Sequence, residues 1–122
     1  MKTKQEKFDT MIARLFDGKG PCMIGNTCVY LDCNGNKCVV GALIPDGHPA
    51  QYFDGQIPAL KNVFIDDPII MNDVIGEDYD LLYAMQKVHD GLLWDDKMPS
   101  QKMIDKLEEI AKKYEVKLNI PV

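Results

Sequence analysis

The sequence predicts an α+β fold, a small antiparallel sheet packed by three main helices over 3–17, 78–91 and 100–114. Three observations predict it. Asn34-Gly35 stands between two apolar runs, and that dipeptide supplies the positive φ that both central positions of a tight hairpin turn require. Three longer stretches repeat apolar residues at helical spacing. Val116-Lys117-Leu118-Asn119-Ile120 alternates apolar and polar, the period of a half-buried strand. The sheet is therefore expected to comprise a hairpin over 27–33 and 36–41 with a third strand over 116–120.

Each element has its own signal. Thr3-Lys4-Gln5-Glu6 has capping-box spacing, Phe8, Met11, Ile12, Leu15 and Phe16 follow on one face, and Gly18 provides the stop. Gly18-Lys19-Gly20-Pro21 is a connector that lacks the spacing of a phosphate-binding loop. Centring the hairpin turn on Asn34-Gly35 pairs Asp32 with Lys37, an opposite-charge cross-strand contact, and Leu31 with Cys38. Gly41-Ala42-Leu43-Ile44 continues apolar until Pro45-Asp46-Gly47 turns the chain. Pro49 and Pro58 each open a short helical turn, over 49–53 and 58–64. Asp66-Asp67-Pro68 restarts the chain, and Ile69-Ile70-Met71 shows no assignable period. Glu77-Asp78 places negative charge at a helix start, and Leu81, Leu82, Met85, Val88 and Leu92 follow on one face. After a break over 96–100, Met103, Ile104, Leu107, Ile110, Ala111 and Tyr114 mark the most amphipathic helix.

A length of 122 residues predicts a single domain over 1–122, and 46% hydrophobic content excludes a disordered chain. No apolar run approaches the roughly 18 residues of a membrane helix, so no membrane partner is expected. The polar start, Met1 to Lys7, does not read as a signal peptide, and in a cytosolic setting the four cysteines are expected to be reduced. Residues 46–96 hold eleven Asp or Glu against two lysines, a balance of −9, and Arg14 is the only arginine. That distribution excludes a groove that tracks nucleic-acid phosphates. It fits either a solvated surface or an acidic face that inhibits a host enzyme.

Cys28-x-Tyr30, then Gly35-x-Lys37-Cys38-x-x-Gly41-x-Leu43-Ile44-Pro45-Asp46, then Tyr52 before Gly55, resembles a widespread family of small phage and prophage proteins. The likeness extends to Phe8-Asp9-Thr10 and to Leu82-x-x-x-Gln86-x-x-His89-Asp90. The resemblance implies phage origin and a host-cytoplasmic setting, and it implies no established reaction. The chain departs from the pattern at Gly47-His48-Pro49-Ala50, where that family runs more helically towards the tyrosine.

Three constellations could carry chemistry. Cys22, Cys28, Cys33 and Cys38 are too evenly spaced for zinc knuckles, and the hairpin register puts Cys28 on the face opposite Cys33 and Cys38, so no metal is expected. Cys38 with His89-Asp90 far downstream has the chain order of a cysteine hydrolase. Two points count against it: the hairpin puts Cys38 in a strand rather than at a helix start, and neighbours on a helix point about 100° apart, which keeps Asp90 from orienting His89. The third is a ligand-binding set of Tyr30, Lys37, Asp46, Tyr52, Gln86, His89, Asp90 and Trp94, with Tyr83 as a further aromatic wall. Aromatic surfaces with a few convergent polar groups are how small-ligand pockets are built, although Gln86 and His89 could equally brace the loop at Pro45-Asp46.

The expected function is a phage accessory, counter-defence protein, with no catalytic set and no cofactor, that sequesters a small polar signal, a nucleotide derivative in that setting. The alternatives are an acidic protein-binding inhibitor of a host enzyme and a Cys38/His89 hydrolase. Candidate partners are the small molecule, a host defence protein and a second copy of the chain.

Overall fold

Thr3 opens the first helix by reciprocal capping. In the computed structural model, which describes residues 2–20, 23–24, 27–28, 37–53, 57–91 and 94–120, its Oγ1 accepts from the Glu6 amide at 3.1 Å. Glu6 Oε1 accepts in return from the Thr3 amide at 2.9 Å, so two amides that a helix start leaves unpaired are satisfied. Helix α1 runs Lys4–Leu15 and buries Phe8, Met11, Ile12 and Leu15 completely. That stripe packs on a 3-10 turn, Gly41–Leu43, and on the buried Val39, Val40 and Ile44 around it.

The fold is α+β. Strands β1 (Met23–Ile24) and β2 (Thr27–Cys28) pair antiparallel, Met23 with Cys28 and Ile24 with Thr27. Thr27 and Cys28 are thus extended as expected, but their partner lies upstream. The predicted turn at Asn34-Gly35 falls outside the described residues. The expected second strand, 36–41, is corrected over its described part. Beyond Lys37 the chain coils into a turn, with Ala42 N donating to Cys38 O at 2.9 Å and Leu43 N to Val40 O at 3.0 Å. Helical bonding satisfies these buried amides locally, so they have no need of a ladder.

Pro49–Tyr52 forms a 3-10 turn capped by His48, whose Nδ1 accepts from the Ala50 amide at 3.0 Å. This is how the chain accommodates its Gly-His-Pro-Ala segment. Helix α2 (Ile57–Val63) buries Leu60 and contacts both the next helix and a π-helix, Ile69–Ile75, for which the sequence carries no signature. Gly76 ends the π-helix at φ 53° and ψ −134°, donating from its amide to Met71 O at 2.9 Å. Only glycine suits that conformation, and a Cβ there would also lie 3.0 Å from Lys7 Nζ.

Asp67 starts the π-helix with Oδ1, which accepts from the amides of Ile69 at 3.0 Å and Ile70 at 3.1 Å. Its Oδ2 meets His48 Nε2 at 2.9 Å. The Ile70 amide first, and the His48 ring after it, hold the Asp67 carboxyl below its ordinary value of 3.8. A lowered folded-state value means the stabilisation is fully present above the ordinary carboxylate range and is lost as pH falls through the lowered value. Asp67→Ala is therefore expected to flatten the acid limb of a stability-against-pH curve from urea unfolding and to leave its slope near neutrality unchanged.

Helix α3 (Tyr79–Asp90) packs on α4 (Gln101–Lys113), burying Leu81, Leu82, Met85 and Val88 with Met103, Leu107 and Ala111. Between them β3 (Trp94–Asp95) and β4 (Met98–Pro99) form a hairpin around Asp96, at φ 58°, a region that aspartate tolerates better than most residues. Ser100 then caps α4, its Oγ accepting from the Met103 amide at 3.3 Å.

The expected strand over 116–120 is also corrected, since those residues join no sheet. A single side chain takes the place of a neighbouring strand: Lys117 N donates to Gln5 Oε1 at 2.8 Å and Gln5 Nε2 donates to Lys117 O at 2.9 Å. Val116 and Leu118 still turn inwards against the core. Among the described residues no helix is long and apolar enough to cross a membrane.

Candidate functional site

The expected ligand-binding residues fall into two polar clusters. Tyr30 lies outside the described residues, and Tyr52 stands out in solvent. Tyr83 stacks on Tyr79 at 6.3 Å rather than walling either cluster.

The first cluster sits where the chain leaves Lys37. The Lys37 ammonium pairs with the Asp46 carboxylate across the 3-10 turn. That contact holds the Asp46 carboxyl below its ordinary value, with Gln51 adding to the effect. Gln51, which the sequence did not bring forward, is buried, with Nε2 3.4 Å from Asp46 Oδ1 and Oε1 accepting from the Gly47 amide at 2.9 Å. A glutamine in an isolated turn carries no spacing by which it could have been found.

Cys38 follows immediately and is fully buried. It opens the helical turn instead of lying in a strand, and the Gly41 amide donates to its sulfur at 3.1 Å. One point against a nucleophilic Cys38 is thereby removed.

The second cluster closes the end of α3. His89 is buried on the inner face of the helix, and its Nδ1 lies 2.9 Å from Asp90 Oδ1. The expectation that Asp90 cannot orient its helical neighbour is therefore corrected. At the last turn the more exposed carboxylate folds back over the helix end and reaches the ring. An ionised carboxylate only accepts, which puts a proton on Nδ1. Gln86 Nε2 donates to the same Asp90 oxygen at 2.7 Å and holds it in place. Trp94 Nε1 donates to the His89 carbonyl at 2.9 Å, and the two rings meet edge to face at 5.8 Å.

One atom in this cluster is unsatisfied. Gln86 Oε1 is buried without a hydrogen-bond partner. The amide cannot gain by flipping, because that would turn its oxygen towards the carboxylate oxygen its nitrogen now serves.

A series of contacts links the clusters. Arg14 donates Nε to the Lys37 carbonyl and Nη2 to the Gly20 carbonyl at 2.7 Å. Gly20 in turn lies so close to the β3–β4 turn that a Cβ on it would sit 3.3 Å from Lys97 Cα. Arg14 was legible only as the lone arginine. Its place two turns after Lys7 on the edge of the apolar stripe was the available signal.

Among the described residues no three metal-ligating side chains converge, and the side chains of Cys22, Cys28 and Cys33 lie outside that description. Of the eleven acidic residues between 46 and 96, Asp46, Asp67, Asp78 and Asp90 are tied to lysine, histidine or glutamine side chains of the fold itself. No family model, curated protein or solved structure matches the chain.

Proposed function

We propose that this chain is a phage accessory protein that captures a small polar molecule at the end of α3 and holds it away from the host machinery that would read it. The observation that carries this reading is the orphaned Gln86 Oε1 inside an otherwise closed network. A buried acceptor without a donor costs about 1–3 kcal/mol, and a ligand N–H or O–H that reaches it recovers that cost. The ionised Asp90 beside it selects against phosphate at this point, so the end bound here is a donor-bearing one such as the amide edge of a nucleobase. Lys37, paired with Asp46 in the first cluster, is the cation assigned to receive an anionic end, by exchanging Asp46 for it. The likeness of the 28–46 block to small phage and prophage proteins supports the setting.

A second reading is favoured by a specific observation. Cys38 opens a helical turn and Asp90 orients His89, so the parts of a thiol nucleophile and its base are each locally prepared. In this reading the captured molecule is cleaved instead of stored.

One experiment separates the two. The protein is incubated with infected-cell extract, reisolated and denatured, and the released small molecules are identified by mass spectrometry. Capture predicts an intact molecule, retained equally by Cys38→Ala, while Gln86→Met releases it yet keeps or slightly raises the melting temperature because it removes the orphan. A cleaved product that disappears in Cys38→Ala makes the protein a hydrolase. Retention unaffected by Gln86→Met and Lys37→Ala would overturn the site.

A further inference from the structure

Of the seven large apolar side chains that stand exposed among the described residues, four fall within one stretch: Tyr52 at 74%, Val63 at 60%, Ile65 at 52% and Ile69 at 38%. Scattered exposed apolar residues need no explanation, but a contiguous group does. The two segments that carry these four are sewn together. Phe53 meets Phe64 edge to face at 6.1 Å, and Phe64 lies 5.8 Å from the His48 ring. His48 Nε2 in turn pairs with Asp67, whose other oxygen fixes the amides of Ile69 and Ile70. The patch is therefore presented on a braced frame, so that little ordering entropy is lost when something docks there.

The geometry points to this patch as a docking surface for a protein partner that offers an apolar face fringed with lysine or arginine. Charge decides the occupant. Over residues 52–69 three aspartates stand against one lysine, and Asp66, beside Ile65, is exposed. A second copy of the chain would set the same patch against itself across a two-fold axis and oppose like charges. A basic fringe meets those carboxylates and speeds encounter as well. The surface uses none of the polar residues at the α3 end, so it stands whether or not a ligand binds there.

A leucine–lysine amphipathic helix of about 15 residues serves as probe, with its leucine–glutamate counterpart as control, both followed by fluorescence anisotropy. The lysine peptide is expected to bind and the glutamate peptide not. Binding should weaken as salt rises from about 50 to 500 mM, because surface charges are screened over shorter distances. Val63→Ser with Ile65→Ser should weaken it about tenfold or more, as central apolar anchors do. Asp66→Lys should weaken it too and flatten the salt dependence. All three positions are exposed, so melting temperatures should stay near that of the parent. No binding, equal binding of both peptides, or indifference to both variants would overturn the surface. Concentration-dependent dimerisation abolished by Val63→Ser with Ile65→Ser would overturn the choice of occupant.

Discussion

Lys7→Met is expected to destabilise the fold by about 3 kcal/mol, a large share of a small domain's stability. Lys7 lies on the inner side of α1 with its side chain 1% exposed, and its ammonium donates to Asp78 Oδ2 at 2.9 Å and to the Ile75 carbonyl at 3.2 Å. Those two acceptors sit on either side of Gly76, where the π-helix hands over to α3. One cation thus ties α1 to the junction of the π-helix and α3. Methionine keeps the volume of the stem, so the loss reports the missing charge and donors, not a cavity. Asp78 is 11% exposed and can recruit some water, which places the effect at the lower end of what breaking a buried pair costs, about 3–5 kcal/mol. The urea midpoint should fall by on the order of 1–2 M. Lys7→Met combined with Asp78→Leu should recover most of the loss, since removing both charges leaves nothing unpaired. A change below about 1 kcal/mol for Lys7→Met alone would show that the pair is not a fastener.

Much of the helical frame was legible because its signals are local. Thr3 and Glu6 cap each other across three residues, and the helices found are Lys4–Leu15, Tyr79–Asp90 and Gln101–Lys113, within about two residues of expectation at each end. The strands were less legible for a physical reason. Alternation reports an extended backbone with one side turned inwards, and Val116 and Leu118 do turn inwards. It does not report whether another strand offers an edge. Here the chain after Lys37 coils into a turn, and the amide and carbonyl of Lys117 found the side chain of Gln5, 112 residues away. The β3–β4 hairpin was missed because an aspartate, not a glycine, takes the positive φ at Asp96.

At the candidate site the residue types were legible and the partnerships were not. Gln86, His89, Asp90 and Trp94 come together as one network, and Lys37 joins Asp46, but Tyr52 belongs to a different surface. Helical spacing describes where Cβ atoms point. It says nothing of a carboxylate folding back at a helix end, which is how Asp90 reaches His89.

Arg14→Lys is expected to cost about 2–4 kcal/mol and to disturb the proposed ligand capture along with stability. Arg14 is nearly buried, and its guanidinium serves three acceptors in different directions: the Lys37 carbonyl through Nε, Asp17 Oδ1 at 3.1 Å through Nη1, and the Gly20 carbonyl at 2.7 Å through Nη2. A lysine keeps the charge but concentrates its donors at one point and lacks the planar fork that spans these acceptors. At least one buried carbonyl is then left without a donor, at about 1–3 kcal/mol for each. The carbonyls that lose support belong to Lys37, next to Cys38 and paired with Asp46, and to Gly20, which rests on the β3–β4 turn beyond Trp94. Both clusters should therefore loosen relative to each other while their internal hydrogen bonds persist. Amide hydrogen exchange is expected to speed up at Ala42 and Leu43, whose bonds start from the Cys38–Val40 turn, and to stay slow in the middle of α4. Retention of the captured molecule, measured as above, should fall in Arg14→Lys even at temperatures well below its melting point. Full retention with unchanged exchange at Ala42 and Leu43 would mean that Arg14 braces the loops without positioning the site.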